Sequence, residues 1–371
     1  MEISADQIRQ LRLRSQGLRR DPEAAQGGPA AVVRRVLAVQ AQDAQAAPLS
    51  IWARGEGLTA GDVERALVEE RSIVRTWLMR GTLHLAAAED VGWLLAALGP
   101  RFIRTTRRRY EELGLDESVR RESLSAIREI LSEQGATTRT ELTRRLAERG
   151  FPTEGQAAYH LMHHAGLSGL LCYGPEGGGE ETFVLLDEWA DVGATLPEDE
   201  AHAELARRYL DAYAPAGPED LAAWSGLTLT QSRAAFSAIT EELVEVAFGG
   251  EPLWLLRSQE GWLDDELAWS PNVRLLPRFD TYLLGYRDRD LSVPEAYAKR
   301  VHPGGGILHA VLLVDGLAAG TWKTERKKDR LEVVVDVFEG LEEGTVDGLR
   351  GEIQRLGRFL DREVELGFSS R

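Results

Sequence analysis

Apolar positions in the first third of the chain recur at helical spacing and then switch to alternation. Pro29 opens a helix-like run over residues 30–39, and Pro48 opens a second apolar stretch over 49–53. Thr59 stands before a predicted helix over 62–70, where its hydroxyl would satisfy an orphan amide of the first turn. Residues 73–78 alternate as a strand, 79–81 turn, and 82–85 return; helical spacing resumes over 86–98. Helices followed by a hairpin make a winged-helix pattern.

The pattern recurs twice. Thr138 and Glu141 are spaced as a capping box, a further helix is predicted over 156–165, and 170–173 pairs with 182–186 around the glycine-rich turn 174–179. A third copy begins at Tyr213, passes the turn Ser225-Gly226-Leu227 and a helix from Thr230, and ends in strands over 243–248 and 252–256. After Pro271 the texture is β-rich, over 273–280, 307–314, 318–322 and 331–337, with Asp315-Gly316 as a hairpin turn and a last helix over 345–360. The expected class is α+β. Winged-helix modules occupy 1–130, 131–200 and 201–270, and a C-terminal small β-barrel with a terminal helix occupies 271–371.

Composition narrows the function. Hydrophobic content of 43% and charged content of 28% suit a soluble multi-module protein. Cys172 is the only cysteine, which excludes intrachain disulfides and cysteine metal clusters. The N-terminus lacks a leader pattern, and the longest apolar run, 91–98, is far short of a membrane span, so a cytoplasmic protein without membrane association is expected. A net charge of −16 opposes nucleic acid, yet residues 9–20 and 101–109 each carry five arginines and no acid. Those runs are either solvated helix faces or a basic surface for DNA. The acids gather in 176–204, 241–265 and 338–347. The four lysines are Lys299, Lys323, Lys327 and Lys328, so an amine nucleophile would have to come from the C-terminal part.

The candidate chemistry lies at Gln40-Ala41-Gln42. Glutamine does not titrate, but each amide offers an acceptor and two donors, so a pair can hold a water. On a continuous helix residues two apart face different ways, which predicts a helix terminus or short loop here. The competing reading is a buried amide pair capping a helix end. Asp43 reads as a helix-end or turn residue; Asp62 is the other nearby carboxylate. Arg75, Arg80 and His84 sit on the first predicted hairpin with Trp77 as core, and His84 is either a buried structural histidine or a substrate contact. Arg287, Arg289, Lys299 and Arg300 surround Gly304 to Gly306, a loop suited either to phosphate or to a turn. His160, His163 and His164 read as structural or solvent-facing, and neither metal nor cofactor is expected.

Gln40-Ala41-Gln42, the segment 76–84, the block Pro277-Arg278-Phe279-Asp280-Thr281-Tyr282-Leu283-Leu284-Gly285-Tyr286-Arg287-Asp288-Arg289 and the stretch 299–306 occur in this order. In these blocks the chain resembles the bacterial AlkZ and YcaQ-like DNA glycosylases over nearly its whole length. The resemblance implies three winged-helix modules and a β-barrel in a C shape around duplex DNA. It implies monofunctional hydrolysis of the N-glycosidic bond of N7-alkylated purines, with Gln40 and Gln42 as the catalytic pair. Ala41, where the YcaQ-like branch has tyrosine, points to the AlkZ branch, which unhooks azinomycin-type interstrand crosslinks in antibiotic self-resistance. The expected partner is duplex DNA with alkylated or crosslinked purines, bound by a monomer through Arg75, Arg80, His84, Arg287, Arg289, Lys299 and Arg300. An N7-alkylguanine is already cationic, so its departure needs no proton, and a well-placed water suffices against an oxocarbenium-like transition state. The alternative is a non-catalytic winged-helix DNA-binding protein or regulator. That reading needs several base-reading side chains on a recognition helix, and 228–238 offers only Gln231 and Arg233.

Overall fold

The computed structural model describes residues 1–19, 27–264, 271–328 and 330–369 of the 371-residue chain. The first module places helices Gly28–Arg35, Ala46–Trp52 and Ala60–Val68 around strands β1 (Val39–Gln40), β2 (Ile73–Trp77) and β3 (Leu83–Ala87). The helix predicted over 30–39 stops at Arg35. Leu37 adopts a left-handed backbone (φ 64°), which turns the chain into β1. Thr59 caps its helix as predicted, accepting from the Asp62 amide in a capping box.

β1 and β2 flank β3 in antiparallel register, with Gln40 and Thr76 both opposite His84. The period of two therefore sorts the side chains. Gln40, His84 and Thr76 share a face with Ala38, Val74 and Ala86, while Val39, Leu85 and Arg75 take the other. Each face feeds a different core. Ala38, Val74 and Ala86 pack into one that continues through the second and third modules, whereas Val39, Ala41 and Leu85 pack into one shared with the C-terminal domain.

The second module brings helices Glu117–Gln134, Arg139–Glu148 and Ala157–Leu167 and strands β4 (Thr137–Thr138), β5 (Leu171–Tyr173) and β6 (Thr182–Leu185). Its wing joins the first through the single pair Arg75↔Tyr173, giving one six-stranded sheet in the order β1-β3-β2-β5-β6-β4. Trp77, expected in the core, is 1% exposed and packs against Tyr173, Phe183 and His163. The third module, with helices Glu198–Tyr213, Pro218–Ser225 and Leu229–Ala238, keeps its own two-stranded wing, β7 (Leu243–Phe248) and β8 (Glu251–Leu256).

The C-terminal domain corrects one expectation. Strands β9 (Val273–Leu276), β10 (Val311–Val314), β11 (Leu317–Arg326), β12 (Leu331–Val337) and β13 (Val364–Phe368) form an open sheet, β13-β12-β11-β10-β9, rather than a closed small barrel. Helix Glu343–Leu360 buries Leu349, Ile353, Leu356 and Phe359 in the same core as Leu275, Val333 and Val335, supplying the apolar cover that closure would otherwise provide.

A buried ion pair ties this domain to the first module. Both carboxylate oxygens of Asp280 accept from Arg54 at 2.8 Å, and Ser50, Gln16 and Thr281 complete the hydrogen bonding. Asp280, within the block that carries part of the family resemblance, is thus a structural anchor.

Candidate active site

Gln40 ends β1 and Gln42 lies in the bend that follows, so the pair sits on a strand end and not at the predicted helix terminus or in a free loop. Extended backbone brings residues two apart to one side. The Gln40 Nε2 donates to the Gln42 Oε1 at 2.9 Å. Gln40 is 9% exposed, while Gln42 is open to solvent.

Arg80 orders this pair. It occupies a 3-10 turn, Met79–Gly81, in the left-handed region (φ 56°), which swings its side chain back over the sheet. One guanidinium nitrogen donates to the Trp224 carbonyl of the third module, and the other to the Gln40 Oε1 at 3.1 Å. Gly226, with φ +84°, allows the close approach: a Cβ there would stand 2.9 Å from the Phe102 ring and 3.2 Å from the Arg80 Cα. The result is a directed chain, Arg80 to Gln40 to Gln42. Because a guanidinium only donates, Gln40 must turn its oxygen to Arg80 and its NH2 to Gln42. Gln42 then keeps a lone pair on Oε1 and its own NH2 for an external molecule.

His84 lies beneath the pair and is buried. Burial, reinforced by the Arg80 charge, pushes its imidazole pKa down to about 3, so the ring is neutral at pH 7. Nδ1 is 2.9 Å from the Thr82 carbonyl oxygen and carries the proton. His84 accordingly fits the structural of its two readings. Burial also lowers the pKa values of Arg80 and Arg289, and the Arg289 charge adds to the effect on Arg80.

The other expected site residues make contacts of their own. The Arg75 guanidinium donates to Glu181 at 2.8 Å and to the Ala41 carbonyl at 3.2 Å. Arg287 is exposed beside Asp288, Lys299 is exposed, and Arg300 pairs with Asp336 at 2.6 Å while lying over the Phe338 ring. Gly304, Gly305 and Gly306 all have positive φ in a tight turn. Asp43 is a turn residue as expected: one oxygen accepts from the Gln45 and Ala46 amides, and the other stands 3.6 Å from Arg278. Asp62 is engaged in its helix cap, which holds its carboxyl down at about 2. Arg278 and Glu181 were not anticipated as site residues, and nothing in their local sequence marks them.

The arginine runs are largely spoken for. Arg12 bonds the Pro215 carbonyl and covers the Tyr286 ring at 3.5 Å, and Arg14 lies over Trp262; Arg20 falls outside the described residues. Arg107, Arg108 and Arg109 pair with Glu111 and Glu112 along their helix. On helix Leu229–Ala238 of the third module, Gln231 forms a capping box with Thr228 and Arg233 pairs with Glu219, so both side chains weighed as base readers are engaged. A groove of about 1330 Å³ lies against that helix and its wing, but it includes neither glutamine, and its carboxylates Glu219, Asp220, Glu245, Glu251, Asp288 and Asp290 outnumber Arg12, Arg233 and Arg287. Among the described residues, no helix is long and apolar enough to cross a membrane.

Comparison with known proteins gives concordant results. A family model described as "DNA glycosylase AlkZ-like" matches residues 33–359. An interstrand DNA cross-link repair glycosylase of Streptomyces sahachiroi is 29% identical over 351 residues, covering 88% of this chain and 89% of that protein. The solved structure of the Streptomyces sahachiroi DNA glycosylase AlkZ superposes with a TM-score of 0.83 at 26% identity, covering all of both chains.

Proposed function

The chain belongs to the AlkZ-like DNA glycosylase family, enzymes that act on N-glycosyl bonds of DNA, and on that premise we propose that it hydrolyses the N-glycosidic bond of N7-alkylated purines in duplex DNA. Its substrates include purines joined across the two strands, in keeping with the interstrand cross-link repair for which its Streptomyces relative is named. It works as a cytoplasmic monomer.

The observation that carries the reading is the Arg80–Gln40–Gln42 chain ending at a solvent-open amide. A water accepted by the free lone pair of Gln42 has its oxygen turned outward, toward the sugar. Attack forms a bond from that oxygen to C1′ while the C1′–N9 bond breaks. The bonding electrons leave with the base and cancel its N7-alkyl charge, and the water's second proton passes to solvent. No acid is needed for the leaving group, in keeping with a site that holds neutral amides and a neutral His84. Holding the water can supply roughly 7–11 kcal/mol of the barrier reduction in favourable cases. The side chains bonded to the pair include no amine, which favours water over a Schiff base.

The test is release of free base from a duplex carrying one N7-methylguanine, together with strand separation on a denaturing gel for a duplex linked through two guanine N7 atoms. Gln42→Ala and Gln40→Ala should each slow release while leaving DNA affinity nearly unchanged. Absence of release by the wild type, or unchanged rates in both variants, overturns the reading.

A further inference from the structure

We propose that Arg75, held by Glu181 of the second wing, is a positioning residue that sets the geometry of the glutamine pair, and not a contact to phosphate. The proposal rests on the catalytic reading of Gln40 and Gln42 given above.

Arg75 has little left to offer DNA. Its Nη1 donates to Glu181 at 2.8 Å, its Nη2 donates to the Ala41 carbonyl at 3.2 Å, and its plane lies 4.4 Å from the centre of the Tyr173 ring. Its Nε is buried without a partner, and the side chain as a whole is 19% exposed. The charge that marked it as a DNA contact is spent within the protein.

What it holds is more informative than what it gives up. Ala41 is the residue between the two glutamines. Its amide is pinned to the Leu83 carbonyl of β3 at 2.8 Å, and its carbonyl accepts from Arg75, which reaches it from β2 on the far side of β3. With both its amide and its carbonyl bonded, the Ala41 peptide groups that lead into Gln42 are held in place. Gln40, on the other face of the sheet, is oriented separately by Arg80. The two arginines thus divide the work: Arg80 turns the first amide, and Arg75 fixes the backbone that presents the second. Glu181 makes this a contribution of the second module, since it lies 106 residues beyond Arg75 and reaches it across the shared sheet.

The experiment compares Arg75→Met, Glu181→Ala and the exchange Arg75→Glu/Glu181→Arg in the full chain, with Gln42→Ala alongside. Three quantities are read: the single-turnover rate at saturating protein on N7-methylguanine duplex, the DNA Kd with its salt dependence, and the thermal midpoint. Arg75→Met should slow base release on the order of 10- to 100-fold, as expected for sub-ångström to ångström misplacement of a catalytic group. The Kd and its salt slope should stay unchanged. A phosphate contact predicts the opposite, a weaker Kd with a salt slope reduced by about one and an unaltered saturating rate.

A merely structural ion pair predicts that the exchange restores rate and thermal midpoint together. The positioning role predicts recovery of the midpoint without the rate, because a carboxylate at position 75 cannot donate to the Ala41 carbonyl. Should Arg75→Met fold poorly, Glu181→Ala serves: the glutamate side chain is 42% exposed, and its loss should slow release several-fold with Kd unchanged. Wild-type rates in both folded variants, with Gln42→Ala slow, sink the positioning role alone. Gln42→Ala at the wild-type rate sinks the catalytic pair itself.

Discussion

Replacing Arg80 with methionine separates orientation of the glutamine pair from every other role the site might have. Methionine keeps the aliphatic stem and, like arginine, must occupy the left-handed backbone at φ 56°; glycine would relax that strain and confuse the comparison. Two hydrogen bonds are lost, one to Trp224 of the third module and one to Gln40. A hydrogen bond from a charged donor contributes about 1.5–3 kcal/mol. The Trp224 bond should appear as lost stability, and the Gln40 bond as lost catalysis. About 2 kcal/mol on the barrier corresponds to roughly a 30-fold slower chemical step. The assay is single-turnover release of N7-methylguanine, repeated in a Gln40→Ala background. If Arg80 acts through Gln40, the double variant is no slower than Gln40→Ala alone, and the coupling energy equals the full effect of Arg80→Met. A further 30-fold loss in the Gln40→Ala background, or no loss at all in the wild-type background, refutes the relay.

Other outcomes follow from the surrounding frame. Arg54→Met leaves Asp280 buried without its cation and should cost about 3–5 kcal/mol of unfolding free energy, measured by denaturant titration, because the uncompensated carboxylate is the expensive product. Burial holds His84 at about 3, and His163 and His164 at about 4, against an ordinary value near 6.5, so the unfolded chain binds more protons across that window. Stability should therefore be intact above about pH 6.5 and fall progressively below it; His84 alone contributes a loss of about 3 kcal/mol by about pH 4.5, and a His84→Asn variant should lose correspondingly less on acidification. Thr59→Ala removes a helix cap and should cost about 1 kcal/mol of stability. Its base-release rate should match the wild type, and a large catalytic defect would show that the neighbouring Asp62 does more than cap.

Much of the fold is local and therefore legible. Capping residues Thr59 and Thr138, the Gly-rich turn at 174–179 and the Asp315-Gly316 turn all fall where short-range rules place them. Gln40 and Gln42 stood out because two amides flanking one apolar residue suit neither a helix surface nor a core. What sequence could not supply was partnership across distance. Arg75 is expected to bind DNA because its charge is visible in the sequence, whereas Glu181, its ion-pair partner, comes from another module. Arg12 is similar: five arginines in a row of twelve residues suggest a basic surface, yet this one serves a carbonyl and a tyrosine ring. The C-terminal domain misled for a different reason. Alternating strands signal a sheet, but closure or coverage is decided by whether a helix such as Glu343–Leu360 packs on it.

The shared sheet also governs how this molecule can flex. Rotating the first module against the second would break the Arg75↔Tyr173 junction and the Arg75–Glu181 bond together, so both contacts resist that motion. The third module has a separate wing but shares the core of the first two, and Arg208 pairs with Asp90 across that boundary. That seam is also where Arg80 grips the Trp224 carbonyl. Arg80 thereby ties the orientation of Gln40 to the seating of the third module: displacing the Trp224 carbonyl would loosen its hold on Gln40.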